Sequence, residues 1–315
     1  MRKNSMVIPA SLFFIFILSH LAYSQEGLPA DEIIRKSQAA FYYPGSDMKT
    51  RVLMKLVTKD GKERIRDLTM LRKNLDKGGE QRYFIYFYKP PDVKDMTFMV
   101  WKYPGKDDDR WLFIPAIKLV KRIAANDKRS SFVGSDFSYE DVSGRDAEED
   151  NHSILKEEVF NGKDTYVVKS VPKDEGSTDY SYKVSWIDKE SFIPLKEEHY
   201  DKRGELYKVF TADEVKEIQD FPTVTKRTVE NVQSGHRTEV TFKEVGYNNG
   251  IEDEIFSERY LRTPPRNGYV DKSGRSSFLF SLLTGFSTRC FHSWCGYFSR
   301  WVPSGGLYTK DSRWE

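Results

Sequence analysis

The chain has 315 residues, 38% of them hydrophobic and 31% charged, and its 50 Lys+Arg against 48 Asp+Glu leave a net charge of +2. Charge so finely balanced argues against a nucleic-acid-binding surface, and so high a charged fraction against a polytopic membrane protein. With 14% aromatic residues the chain is too apolar to stay disordered and long enough to bury a large core. Rings favour strands, and surplus apolar area can line a cavity as well as a core.

Residues 1–24 read as a secretory signal peptide removed before Gln25. Arg2 and Lys3 open it, Met6 to Leu18 is apolar, and Ala22-Tyr23-Ser24 puts small residues at the cut. A membrane anchor is the alternative, but the apolar run falls short of the roughly 20 residues needed to span a bilayer. The expected location is the periplasm. Both cysteines, Cys290 and Cys295, lie near the C-terminus, so the body must be stable without disulfides. His292 between them is weak evidence for a metal site, and no metal or other cofactor is expected.

The spacing predicts one helix from Pro29 to Tyr42, with Asp31 and Glu32 in its first turn and a narrow stripe of Ile33, Ile34, Ser37, Ala40 and Phe41 suited to lying across a sheet. From Met48 the period becomes two. Val52, Met54 and Leu56 share a face of the first strand, Asp60-Gly61 turns into Glu63 to Arg72, and Tyr83 to Tyr88, Met96 to Tyr103 and Trp111 to Ile114 follow. Lys118 to Phe137 is basic and less regular. It could grip lipid phosphates or an acidic partner, but Ile117, Leu119 and Ile123 favour a strand with a wet basic face, and Asn126 to Ser135 is the candidate mobile segment.

Strands resume at Ile154 to Phe160, Thr165 to Val171, Tyr180 to Asp188, Leu195 to Tyr200, Glu205 to Val215, Thr223 to Val232 and Thr238 to Val245, with hairpin signals at Asn161-Gly162, Arg203-Gly204 and Ser234-Gly235. One leading helix and many consecutive strands without βαβ alternation predict a mainly β fold, a curved antiparallel sheet or open barrel, with a β-sandwich as the alternative. Early strands that are apolar on both faces fit either a lined cavity or two packed cores.

Chemistry is harder to find. His152, His199 and His236 fall in no metal-binding or triad motif, there is no phosphate-cradling loop, and the body lacks cysteine. Asp107-Asp108-Asp109 and Glu148-Glu149-Asp150 read as solvated turn charges rather than paired catalytic carboxylates. No catalytic residue is expected.

The runs Asp109-Arg110-Trp111-Leu112-Phe113-Ile114-Pro115-Ala116, Lys118-Leu119-Val120-Lys121-Arg122-Ile123 and Asp127 to Val142, with Ser130-Ser131-Phe132-Val133-Gly134-Ser135-Asp136-Phe137 inside, resemble the outer-membrane lipoprotein-sorting protein family, the LolA-like periplasmic carriers. The resemblance spans about Ala30 to Arg266. It implies an unclosed β-barrel with a helical lid that shelters acyl chains of lipoproteins or lipids between inner and outer membrane, with an inner-membrane transporter and an outer-membrane acceptor as partners. The alternative is a non-enzymatic accessory protein of a lipid transporter whose barrel is filled by side chains. Alternation within strands nominates Met54, Leu56, Tyr86, Phe98, Val100, Tyr182 and Trp186 as the lipid-binding concave face. The domain layout is then 1–24 signal, 25–267 carrier domain and 268–315 tail. The tail, rich in Ser, Phe, Gly, Trp and Cys, reads as a disordered extension, a membrane or partner anchor, or a segment translated out of frame, the last being preferred.

Overall fold

The computed structural model describes residues 27–75 and 79–264, all within one compact unit. The expected signal peptide and the tail lie outside the described residues. Among those described, no helix is long and apolar enough to cross a membrane.

Helix α1 (Ala30–Tyr42) begins after Pro29, with Asp31 and Glu32 in its first turn, and buries Ile33, Ile34 and Ser37. Thirteen strands follow: β1 (Asp47–Val57), β2 (Glu63–Asn74), β3 (Gln81–Lys89), β4 (Thr97–Lys102), β5 (Asp109–Ile114), β6 (Leu119–Ile123), β7 (Asp150–Phe160), β8 (Lys163–Pro172), β9 (Tyr180–Asp188), β10 (Pro194–Asp201), β11 (Leu206–Ile218), β12 (Phe221–Asn231) and β13 (His236–Tyr247). Short helix α2 (Tyr139–Ser143) lies between β6 and β7, and α3 (Glu258–Arg262) comes after β13.

The strands form one antiparallel sheet in the order β6-β5-β4-β3-β2-β1-β13-β12-β11-β10-β9-β8-β7. Two meanders, β1 to β6 and β7 to β13, are thus stitched together where β1 pairs with β13, for example Val52 opposite Phe242. The sheet stays open, because β6 and β7 are its two edges. The mainly β, unclosed architecture expected from the sequence is the one observed, and the sandwich alternative is not. Tight turns fall where the sequence signals them: Asn161 and Gly162 both have positive φ, as a type I′ hairpin demands.

The sheet curls around the connection from β6 to β7. Phe132 of that connection lies 5.2 Å, ring to ring, from Phe98 on β4, while Phe137 lies 5.9 Å from Phe210 on β11. A segment this short can touch strands so far apart in the order only if the sheet wraps it. Inside the curl one apolar cluster joins Val52, Leu68, Tyr83, Phe87, Phe98 and Val240 to Phe132, Phe137 and Tyr139. On the outer face of β2 to β5, Leu71, Phe84, Met99 and Phe113 are covered by Ile251, Ile255, Phe256 and Leu261 of the segment after β13. This explains why the early strands are apolar on both faces: the outer face is a second packed core, tied down by Thr97 Oγ1 donating to the Leu261 carbonyl at 2.6 Å and Trp101 Nε1 to that of Phe256 at 3.1 Å.

Helix α1 lies across the other end of the curl, with Ile33 and Ile34 on Val168 of β8 and Ile187 of β9. Its last carbonyls, which have no partner within the helix, are met from the sheet. Arg72 donates to the carbonyls of Tyr42 (2.6 Å) and Pro44, Gln81 to that of Tyr42 (2.8 Å) and Asn74 to that of Tyr43 (2.9 Å).

Candidate functional site

The concave face encloses an apolar cavity of about 140 Å³ beneath α1 and the β6–β7 connection. Three methionines, Met48, Met54 and Met70, line it together with Val52, Leu68 and Phe242. Their adaptable side chains suit an occupant of variable shape. From above, Phe41 of α1 and Phe132 and Phe137 of the connection close it.

The connection acts as a plug rather than the free loop its basic, irregular sequence suggested. Phe132 is 2% exposed, packed between the rings of Phe87 and Phe98 and that of Tyr139. The preceding stretch is partly regular, since Leu119–Ile123 forms the edge strand β6 with a wet basic face. Ser138 and Asp141 form a capping box that starts α2 immediately after the plug. A latch fixes its tip to β13: the Asp136 carboxylate accepts from Thr238 Oγ1 at 2.7 Å and lies 2.6 Å from His236 Nδ1, while Thr238 Oγ1 accepts from the Asp136 backbone N–H at 3.0 Å. Beneath Gly134 sits Arg66, 6% exposed, with Nε and one terminal nitrogen lacking any hydrogen-bond partner. Burial lowers the pKa of this guanidinium. Among the described residues this buried charge makes no salt bridge, and Asp92 is the opposite charge that acts on it.

Next to the apolar cavity lies a smaller polar chamber of about 70 Å³, and Phe41, Tyr42, Asp141 and Arg227 line both. Its floor is built by β9, β10 and β12: Lys183 Nζ and Arg227 each lie 3.4 Å from a Glu197 carboxylate oxygen, and Ser185 Oγ donates to the same carboxylate at 3.2 Å. Burial alone would raise the Glu197 carboxyl, but Lys183, His199 and Arg227 together bring it down to about 2. Burial would likewise lower the Lys183 ammonium, yet Glu197 holds it above its ordinary range. His199, between the rings of Tyr180 and Phe210, is pushed down to about 3 by burial and is neutral, and its Nε2 has no partner. Burial raises Tyr42 to about 12. The Tyr42 ring lies so close on Gly144, where φ is +78°, that a Cβ there would sit 2.6 Å from it.

Of the residues nominated from alternation, Met54 lines the apolar cavity, and Leu56, Phe98 and Val100 belong to the same inner cluster. Tyr86, Tyr182 and Trp186 do not join them, and their placement on the concave face is corrected. Tyr86 packs with the outer core and donates to Asp95 at 2.6 Å, because Tyr83, Ile85 and Phe87 take the inner positions of β3. Tyr182 stacks on Tyr200 at 4.5 Å, and Trp186 donates to Glu158 at 2.5 Å beneath Lys196, while Lys183, Ser185 and Ile187 turn to the chamber. Sequence reasoning missed Arg227, Lys183, Glu197 and the plug rings. For Lys183 the only signal available was a polar stripe alternating with an aromatic one along β9.

The acidic runs are also less solvated than their turn positions suggest. Asp108 is buried against Arg110 at 2.6 Å and Ser143 Oγ at 3.0 Å, and Arg145 holds Asp150 and Glu149. Among the described residues, the histidines are engaged in structural contacts. His152 Nδ1 lies 2.8 Å from Ser170 Oγ, but Ser170 is fully buried and the other ring nitrogen faces the Ala147 carbonyl. Among the described residues no group of three or more His, Cys, Asp or Glu is placed to hold a metal ion.

Comparison with known proteins agrees with this architecture. A family model described as "uncharacterized protein" matches residues 79–263. No curated protein matches the chain. The crystal structure of a DUF1329 family protein from Desulfovibrio piger is 30% identical, with a TM-score of 0.68, covering 74% of this chain and 97% of that one. A domain assigned as an outer-membrane lipoprotein-sorting protein, from Vibrio parahaemolyticus, is also 30% identical, with a TM-score of 0.69 over 74% of this chain and 98% of that one. A LolA superfamily protein from Nitrosomonas europaea shares the fold at 18% identity and a TM-score of 0.59, covering 74% of this chain and all of that one. By its sequence match, the chain belongs to the DUF1329 family, and its open sheet shares the fold of the lipoprotein-sorting domain and of the LolA superfamily protein.

Proposed function

We propose that the protein is a periplasmic, non-enzymatic carrier that takes the acyl chains of lipoproteins or lipids into its concave face. It would receive them from an inner-membrane transporter and pass them to an outer-membrane acceptor. One observation carries this reading: a methionine-lined apolar cavity closed only by side chains of a lid helix and a plug. Each methylene withdrawn from water is worth roughly 0.8 kcal/mol, so a 16-carbon chain needs shelter worth on the order of 12 kcal/mol to cross an aqueous compartment. As closed, the cavity has room for about one benzene-sized group. Loading a long chain therefore displaces Phe132 and Phe137, whose rings occupy the volume the chain would take. The unpaired Arg66 beneath the plug favours that exchange, since lifting the plug returns the guanidinium to water.

Mass spectrometry of lipids extracted from natively purified protein tests the proposal, together with uptake of a fluorescent acyl probe. Co-purified acyl lipid and faster probe uptake by Phe132→Ala are expected. Lipid-free protein that excludes the probe both as wild type and as Phe132→Ala would instead favour a filled barrel acting through its rim on a transporter.

A further inference from the structure

We infer that the polar chamber is a headgroup subsite for the carboxylate of a free acyl chain, so that the favoured small ligand of this carrier is a fatty acid. The inference rests on the carrier reading and goes on to name the end of the ligand. Of the charged side chains that line the chamber, Glu140 pairs with Lys128 at 2.8 Å, Arg145 with Glu149 at 2.6 Å and Asp150 at 2.9 Å, and Asp141 caps α2 through the Ser138 N–H, which leaves Glu197 as the carboxylate that answers Lys183 and Arg227. Glu197 serves Lys183, Ser185 and Arg227 together, through bonds of 3.2 to 3.4 Å that are long for charge-assisted contacts. Among the described residues that contact is the only side-chain hydrogen bond of either Lys183 or Arg227, and the hydroxyls of Tyr42 and Tyr180 make none. Arg227 is nonetheless held firmly, its guanidinium 4.9 Å from the ring of Phe41, 4.8 Å from Phe210 and 5.7 Å from Phe137. It therefore touches the lid, the sheet and the plug at once, at the point where the two cavities meet.

A second anionic group between Lys183 and Arg227 would shorten this loose network and give the two cations a carboxylate each. The size of the space selects the group. At about 70 Å³ the space suits a compact carboxylate better than a phosphodiester headgroup with its glycerol. The alkyl chain would continue past Arg227 into the methionine-lined cavity. His199 stays uncharged there, so it adds a hydrogen-bonding edge without altering the charge match.

Calorimetric titration of the purified full chain with dodecanoate, methyl dodecanoate and dodecyl phosphate tests this. The wild type is expected to bind dodecanoate about tenfold or more tighter than the methyl ester, the gain of hydrogen bonds between charged groups. Lys183→Met and Arg227→Met should bring that ratio close to one, and Lys183→Arg should keep it. Equal affinity of the wild type for acid and ester would overturn the carboxylate subsite and leave the carrier intact, as would dodecyl phosphate binding as tightly as dodecanoate. Failure to bind any of the three would defeat the carrier reading itself. The acid-to-ester ratio of the wild type decides the matter even if the variants do not fold.

Discussion

Two regions of the sheet treat their inner face differently. In β1 to β4, joined by β13, it is mainly apolar, with Val52, Leu68, Tyr83, Phe87, Phe98 and Val240 in one cluster. In β9 and β10 the inner face carries Lys183, Ser185, Glu197 and His199, and the aromatic rings of Tyr182 and Trp186 are outside. Burial of a strand face in this molecule is therefore no guide to its polarity. The apolar half gives stability and greasy volume, and the polar half gives direction to whatever enters.

The sharpest test of that contrast is Phe98→Ala. Truncating a fully buried ring is expected to cost about 3–5 kcal/mol, measured by chemical denaturation. A cost under about 1 kcal/mol would show that the inner cluster is not the core of the fold. Next comes Asp136→Ala, which removes the acceptor of the plug latch. It should destabilise by about 1–3 kcal/mol and speed acyl-probe uptake, and a loss of stability without faster uptake would detach the plug from gating. Trp186→Ala, on the outer face, should cost about 1 kcal/mol and leave probe binding as it was. Reduced binding in that variant would return the ring to the inner face.

The remaining test reads a slope with pH. The pKa of His199 is lower in the folded chain, about 3, than its ordinary 6.5, and that of Glu197 is about 2 against 4.5. Both groups bind fewer protons folded than unfolded in these intervals, so their contribution is complete above pH 6.5 and is lost as the pH falls towards 3 and then 2. His199→Gln should flatten the fall in Tm between pH 6.5 and 4.5 and keep the Glu197 part below it. Superimposable Tm profiles for variant and wild type would show that His199 is not held neutral by the fold.

How much of this the sequence disclosed follows from the same contrast. Alternation located the strands closely, and the turn signals located most hairpins, because both are local. Which stripe faces inward is not local. In β1 the apolar stripe and the inner stripe coincide, so Met54 and Leu56 were found. In β3 both stripes are apolar, and the choice of Tyr86 over Tyr83 and Ile85 could not be settled without the covering segment from Ile251 to Leu261. In β9 the aromatic stripe is exterior because Lys169 and Lys196 cover Tyr182 and Trp186, an arrangement set by neighbouring strands. The plug escaped for a related reason: Phe132 and Phe137 stand among Lys, Arg, Ser and Gly, and their burial depends wholly on a sheet curling around them.

The unpaired edges β6 and β7 have a mechanical consequence. A closed barrel has its girth fixed by strand number and shear, and widening it means breaking a ladder. Here the ends of the sheet are free to part, so the circumference can grow or shrink through small changes of twist spread over twelve intact strand pairings. On the carrier reading proposed above, the concave face can then follow cargoes of different bulk while every backbone ladder stays whole.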